Sequence, residues 1–223
     1  YDDVLDDSVN TANISVVTDL DVSSKEISDL TGIDDFTALT ALDCEDNLLT
    51  SLDISNNTAL TWLHCFGNQL TALDVSNNTA LTELRFGNNV LTSLDVSMNT
   101  SLTVLRSQGN QLTTLNLSTN TALTDLKCNG NQLTALDLSN NIALTNLWCQ
   151  GNQLTALDLS NNTVLDEVHC GNNQFSSLDL SSNTVLNELY CSDSDSLTSL
   201  NLSNNTALTL LWCYNNSLTS LDV

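Results

Sequence analysis

From Leu49 onward the chain alternates short apolar and polar stretches with a period of 21 residues: LTSLDISNNTALTWLHCFGNQ is followed by LTALDVSNNTALTELRFGNNV and by four further copies. Less regular copies start at Phe175 and Leu197, the first with an extra residue within SDSDS, and a shorter, degenerate one starts at Leu30. Repetition at such a period predicts a solenoid. Inside each copy a period of two sends Leu63 and Cys65 to one face of a short strand, and Trp62, His64 and Phe66 to the other. The Leu and Cys face must be interior, yet a single coil cannot bury it. Coils stacked ~4.8 Å apart as parallel strands create one continuous core and satisfy the ladder hydrogen bonds. The segment between these strands is rich in Asn, Ser and Thr, which disfavours long helices, so short strands or turns are expected on the convex side.

Each copy contains LxxLxCxxNxL, as in Leu144, Leu147, Cys149, Asn152 and Leu154, and its second half reads LTxLDLSxN. This nested pattern resembles a bacterial class of leucine-rich repeats in which LxxLxLxxNxL is followed by LxxLDLxxN, and it departs from the internalin type, which uses a longer, more helical return segment. The resemblance covers residues 30–223. It implies a β-rich, right-handed leucine-rich-repeat solenoid with a parallel concave sheet, little helix, and a role in adhesion or recognition at bacterial surfaces. Residues 1–29 are expected to cap the array, with Val4, Leu5, Val16 and Val17 facing the first coil, and residues 30–223 to form one continuous domain. No cap is visible after Val223, so that end is expected to continue in a longer protein or to pair with a second molecule as a dimer.

Charge narrows the partners. Lys and Arg total 4 against 27 Asp and Glu, a net charge of -23, which repels nucleic acid and anionic lipid. No apolar run is long enough to span a bilayer, and the start YDDVLDDSVN has neither a basic nor an apolar signal region. The acidity and scarcity of Lys suit an extracellular or cell-surface setting, with any export signal already removed.

Stacking converts the sequence into columns. Cys44, Cys65, Cys128, Cys149, Cys170, Cys191 and Cys213 share a slot with Phe86 and Ser107. Neither Phe nor Ser replaces a metal or redox thiol, so reduced, buried core cysteines are expected, and neither a metal nor a cofactor. Asn68, Asn89, Asn110, Asn131, Asn152 and Asn173 are placed to cap the turn that leaves each strand. The NNT triplets at Asn56, Asn77, Asn161 and Asn204 match a glycosylation sequon only because the repeat recurs. Asp53, Asp74, Asp95, Asp137, Asp158, Asp179 and Asp222, interrupted by Asn116 and Asn201, bring like charges together. Hydrogen bonds from nearby Ser, Thr or backbone N–H groups are expected to offset their repulsion, with weak Ca2+ binding the alternative. Thr61, Thr82, Thr103, Thr124 and Thr145 form one hydroxyl ladder, and Thr50, Thr71, Thr92, Thr113, Thr134 and Thr155 another.

One column departs from this monotony: Asp43, His64, Arg85, Arg106, Lys127, Trp148, His169, Tyr190 and Trp212, flanked by Trp62 and Tyr214. It gathers three of the four basic residues, both His and two of the three Trp. Cross-strand packing, with Glu83, Asp125, Glu167 and Glu188 neutralising the cations, explains such a column structurally. Trp, Tyr and Arg also dominate binding hot spots. Rings presented flat would stack on sugar faces or peptide side chains, and the cations would engage carboxylates or sulfates. The favoured reading is a non-catalytic recognition or adhesion module for a glycan, peptide or protein. The alternatives are a Thr-based array that binds ice or a polymer and a purely structural segment of a larger surface protein. Catalysis is not expected, because the repeat disperses reactive groups and sends His64 and Cys65 to opposite faces.

Overall fold

A computed structural model describes residues 14–222. Its strands, each three residues long, are β1 (Asp19–Asp21), β2 (Ala41–Asp43), β3 (Trp62–His64), β4 (Glu83–Arg85), β5 (Val104–Arg106), β6 (Asp125–Lys127), β7 (Asn146–Trp148), β8 (Glu167–His169), β9 (Ser177–Asp179), β10 (Glu188–Tyr190), β11 (Ser199–Asn201), β12 (Leu210–Trp212) and β13 (Ser220–Asp222). Ten form one parallel sheet in the order β1 to β8, then β10 and β12. The other three, β9, β11 and β13, form a second parallel sheet, built from the LTxLDLSxN halves of the last copies. Earlier copies carry turns there, and a 3-10 turn at Ile33–Asp35 precedes β2. Over the described residues the chain is thus a solenoid of stacked parallel strands with almost no helix.

The alternation read from the sequence holds: Leu63 and Cys65, Leu147 and Cys149, and their equivalents from Leu42 to Cys191 are fully buried, and Leu211 on the last strand of the sheet is partly buried. Phe86 and Ser107 are buried in the cysteine slot as well. Cys44, Cys65, Cys128, Cys149, Cys170 and Cys191 are buried free thiols, and Cys213 is half-buried. The ladder continues past the strands, with Cys65 N–H donating to the Arg85 carbonyl and Cys149 N–H to that of His169, each at 2.8 Å. Val17, Leu20, Val22 and Ile27 pack on the core from the amino-terminal side, whereas Val16 points outward. Val4 and Leu5 lie outside the described residues.

Buried asparagines hold each coil to its neighbours. Asn152 donates from Nδ2 to the carbonyls of Cys128 and Cys149 at 3.0 Å, while its Oδ1 accepts from Leu133 N–H at 3.0 Å. The other members of that column repeat the pattern, satisfying the turn's backbone groups as expected. A second Asn column lies within the second half of each copy, in part inside the NNT triplets. Asn57, Asn78, Asn99, Asn120, Asn141, Asn162 and Asn183 are fully buried, and Asn162 donates to the carbonyls of Leu138 and Asn141 at 3.1 and 2.9 Å. A third column is conformational: Asp46, Gly67, Asn88, Gly109, Gly130, Gly151, Asn172, Asp193 and Asn215 all have positive φ. Gly, Asn and Asp adopt that left-handed turn most readily, and they share this position, three residues past the strand, with Ser24 at the equivalent place in the first coil.

Candidate functional site

The register assembles the column residue by residue. Asp43 pairs with His64, His64 with Arg85, Arg85 with Arg106, Arg106 with Lys127, Lys127 with Trp148, Trp148 with His169, His169 with Tyr190 and Tyr190 with Trp212. All of them occupy one open face of the ten-stranded sheet. The cationic and aromatic stretches are therefore continuous, but their side chains are not free.

In the cationic stretch each positive group is already engaged. Arg106 donates to Asp125 Oδ2 at 2.8 Å, and the Arg85 Nε lies 2.6 Å from Glu83 Oε1 as an ion contact. Lys127 extends over the Trp148 ring with Nζ 3.4 Å from its centroid. Burial, with Arg106 beside it, holds the Lys127 ammonium below the usual lysine range.

Rings in the aromatic stretch stack on one another. Trp148 and His169 lie 4.4 Å apart and nearly parallel, His169 and Tyr190 4.0 Å apart, and Tyr190 meets Trp212 edge-on at 5.2 Å. The flat presentation expected from the sequence does not occur at Trp148, His169 and Tyr190. Strands ~4.8 Å apart place identical positions close to ring-stacking distance, so the faces cover each other. Glu167 organises the group by accepting from Asn146, Trp148 and His169 at 2.9, 3.2 and 2.7 Å. Tyr190 donates its hydroxyl to Glu188 at 3.0 Å, which pushes the phenol's pKa up. Only Trp212 and Tyr214, 51% and 55% exposed, are exposed aromatic side chains among the described residues. Between them and His169, Tyr190, Gly171 and Ser192 lies a pocket of about 170 Å³.

His64 sits differently. It is 4% exposed, covered by Trp62 with ring centroids 3.4 Å apart, and its Nε2 lies 2.7 Å from Glu83 Oε1. Burial pulls its pKa down, against the opposing hydrogen bond to Glu83. Burial alone raises Glu83, but the His64 hydrogen bond and the Arg85 charge outweigh it and leave that carboxyl below its ordinary range.

The remaining columns behave as turn chemistry. At Asp74, Asp95, Asp137 and Asp158 the backbone N–H of the Ser two residues on, helped by its hydroxyl, lowers the carboxyl pKa. At Asp53 and Asp179 the hydroxyl comes first and the N–H second. The hydroxyls of Thr61, Thr82, Thr103, Thr124 and Thr145 donate to carbonyls of the preceding coil at 3.0 to 3.1 Å. The Thr50 to Thr155 ladder is exposed. No helix among the described residues is long and apolar enough to cross a membrane.

Comparisons with known proteins agree with this architecture. The LVIVD repeat family matches residues 65–85. No curated protein matches the chain. Among solved structures, the chain is similar to the functional domain of InlJ from Listeria monocytogenes, which includes a cysteine ladder, at 34% identity and TM-score 0.60 over 96% of this chain. It is also similar to the Listeria monocytogenes internalin InlF, at 26% identity and TM-score 0.80 over 87% of this chain. Internalin C2 from the same organism follows, at 26% identity and TM-score 0.76, with 80% of this chain and 82% of that one covered. The chain spans 57% of the InlJ structure and 60% of the InlF structure. The likeness to internalins thus extends over the stacked backbone of most of this chain. By its repeat, its signature and its stacked parallel strands, the chain is a leucine-rich-repeat protein of the bacterial kind, built on nested 21-residue repeats.

Proposed function

We propose that the open face of the ten-stranded sheet is a recognition surface for a protein or peptide segment, seated on the stretch from Lys127 to Tyr214. The observation that carries this reading is the exposure of Trp212 and Tyr214 beside the pocket bounded by His169 and Tyr190. Exposed Trp and Tyr anchors next to a concavity are the usual makings of a binding hot spot. Self-stacking favours a peptide over a glycan. An oligosaccharide lying along the column would need successive free ring faces, and Trp148, His169 and Tyr190 turn theirs toward each other. Arg85, Arg106, Trp62 and His64 then serve mainly to rigidify the platform.

The module is a binder without catalysis, working outside the cell or at its surface, with residues 1–29 as amino-terminal cap and 30–223 as the array. Its acidity and its similarity to internalins support that setting. The test is a peptide and glycan array probed with the intact chain and with a Trp212→Ala/Tyr214→Ala variant of equal melting temperature. Peptide binding lost in the variant supports the proposal. Peptide binding that survives, or binding confined to glycans, overturns it.

A further inference from the structure

Beyond the aromatic stretch, the opposite end of the same sheet holds a constellation that breaks the repeat. Asp43, Glu45 and His64 each offer a ligand atom, and these atoms lie within 4.8 Å of one another. Asp43 closes β2, Glu45 follows two residues later, and His64 stands opposite Asp43 in the register of β3. In later coils the Asp43 and Glu45 positions are taken by pairs such as Arg106 with Gln108 or Trp148 with Gln150. Only this coil carries two carboxylates there, and the next one supplies an imidazole, whereas His169, the other histidine of the column, lies beside Trp148 and Tyr190.

His64 is prepared as a ligand in a specific way. Its side chain is 5% exposed and clamped by Trp62. A carboxylate can only accept, so the 2.7 Å contact with Glu83 fixes the Nε2–H tautomer. The lone pair of the neutral ring is then on Nδ1, which forms no hydrogen bond among the described residues. A histidine whose far N–H is held by a carboxylate while its other nitrogen stays free is the arrangement that orients imidazoles toward metals. Asp43 uses one oxygen to accept the Glu45 N–H at 3.0 Å, and neither Asp43 nor Glu45 has an ion-pair partner among the described residues.

We propose that Asp43, Glu45 and His64 Nδ1 bind one divalent transition-metal ion of the zinc type, with Glu83 positioning the imidazole. Metal bonds of about 2.1 Å bring tetrahedral ligands to ~3.4 Å of one another, and rotation of the flexible Glu45 side chain achieves that contraction. One imidazole nitrogen with two carboxylates suits zinc, copper or nickel, whereas Ca2+ takes six or more oxygens. Three protein ligands leave the remaining positions to water or to an oxygen of a bound partner. The ion ties β2 to β3, adding to the Asn68 and Thr61 hydrogen bonds that already join these two coils.

The experiment is titration of the reduced full chain, in a Cys213→Ser background that removes the thiol that is not buried, with Zn2+ followed by calorimetry and by 15N NMR of its two imidazoles. The expected result is one equivalent bound, a large displacement of the His64 Nδ1 resonance and retention of its Nε2 proton. The Asp43→Asn/Glu45→Gln variant, shown to be folded by unchanged circular dichroism, should bind about tenfold or more weakly. Absence of binding, displacement at His169 in place of His64, unchanged affinity in the variant, or tighter binding of Ca2+ than of Zn2+ would overturn the proposal.

Discussion

The Lys127 ammonium lies 3.4 Å from the centroid of the Trp148 ring, on the strand next in register. The cationic half of the column thus ends directly on the aromatic half. His169 stacks on Trp148 as well, so the Lys127 contact continues a run of contacts that reaches Trp212. A double-mutant cycle of Lys127→Met and Trp148→Leu should yield a coupling free energy of about 1 kcal/mol. Additive effects in denaturant unfolding would show that the contact contributes nothing.

Asn152 and Asn162 differ in how fully they are used. Asn152 makes three hydrogen bonds to buried backbone groups, and Asn162 makes two with its Oδ1 unpaired. At ~1 kcal/mol per bond, Asn152→Ala should lose about 3 kcal/mol and Asn162→Ala about 2 kcal/mol. Urea unfolding of both variants measures the difference. An equal loss would mean that the Oδ1 contact with Leu133 carries no weight.

Thiol chemistry should follow burial. Burial pushes Cys44, Cys128 and Cys191 up to about 12 and raises Cys65, Cys149 and Cys170 as well. Thiolates are the reactive form, so an aromatic disulfide reagent should titrate one thiol, Cys213, in the native chain and seven after denaturation. Rapid native reaction of several thiols would contradict the packed cysteine column.

Acid should weaken the fold through the Asp column. The folded pKa of Asp74, Asp137 and Asp158 lies below the ordinary carboxylate value, through the backbone N–H and hydroxyl of Ser76, Ser139 and Ser160. Such groups contribute stability that is fully present above the unfolded pKa of about 3.9 and lost as the pH falls through the folded one. Asn116 and Asn201 already make the same turn without a titrating group, each accepting from a Ser N–H at 3.1 Å. Melting temperatures below pH 4 should therefore fall less steeply in Asp74→Asn/Asp137→Asn/Asp158→Asn than in the native chain. Identical slopes would remove these turns as the source of acid sensitivity.

Much of this molecule is legible in its sequence. The 21-residue period and the Leu63 and Cys65 alternation specify stacked parallel strands, since no other arrangement buries that face in every copy. The roles of Asn152 and of the Asp74 type followed from position in the repeat, because the turn at that position is set by a few local backbone groups. At Asn162 the column was concealed by a motif that looks like a modification signal, and the left-handed turn at Asn88 and Asp193 by the variety of residues that fill it.

What the sequence determined by itself is the coil, its core and the membership of each column, because these depend on spacing within one repeat. What the column members do came from the packing of coil on coil. Strand separation turned Trp148, His169 and Tyr190 into a self-stacked ladder, left Trp212 and Tyr214 exposed, and sank His64 beneath Trp62 beside Asp43 and Glu45. Such outcomes depend on distances and ring orientations between coils, and a one-dimensional pattern fixes which residues are neighbours without fixing which face each shows to the other.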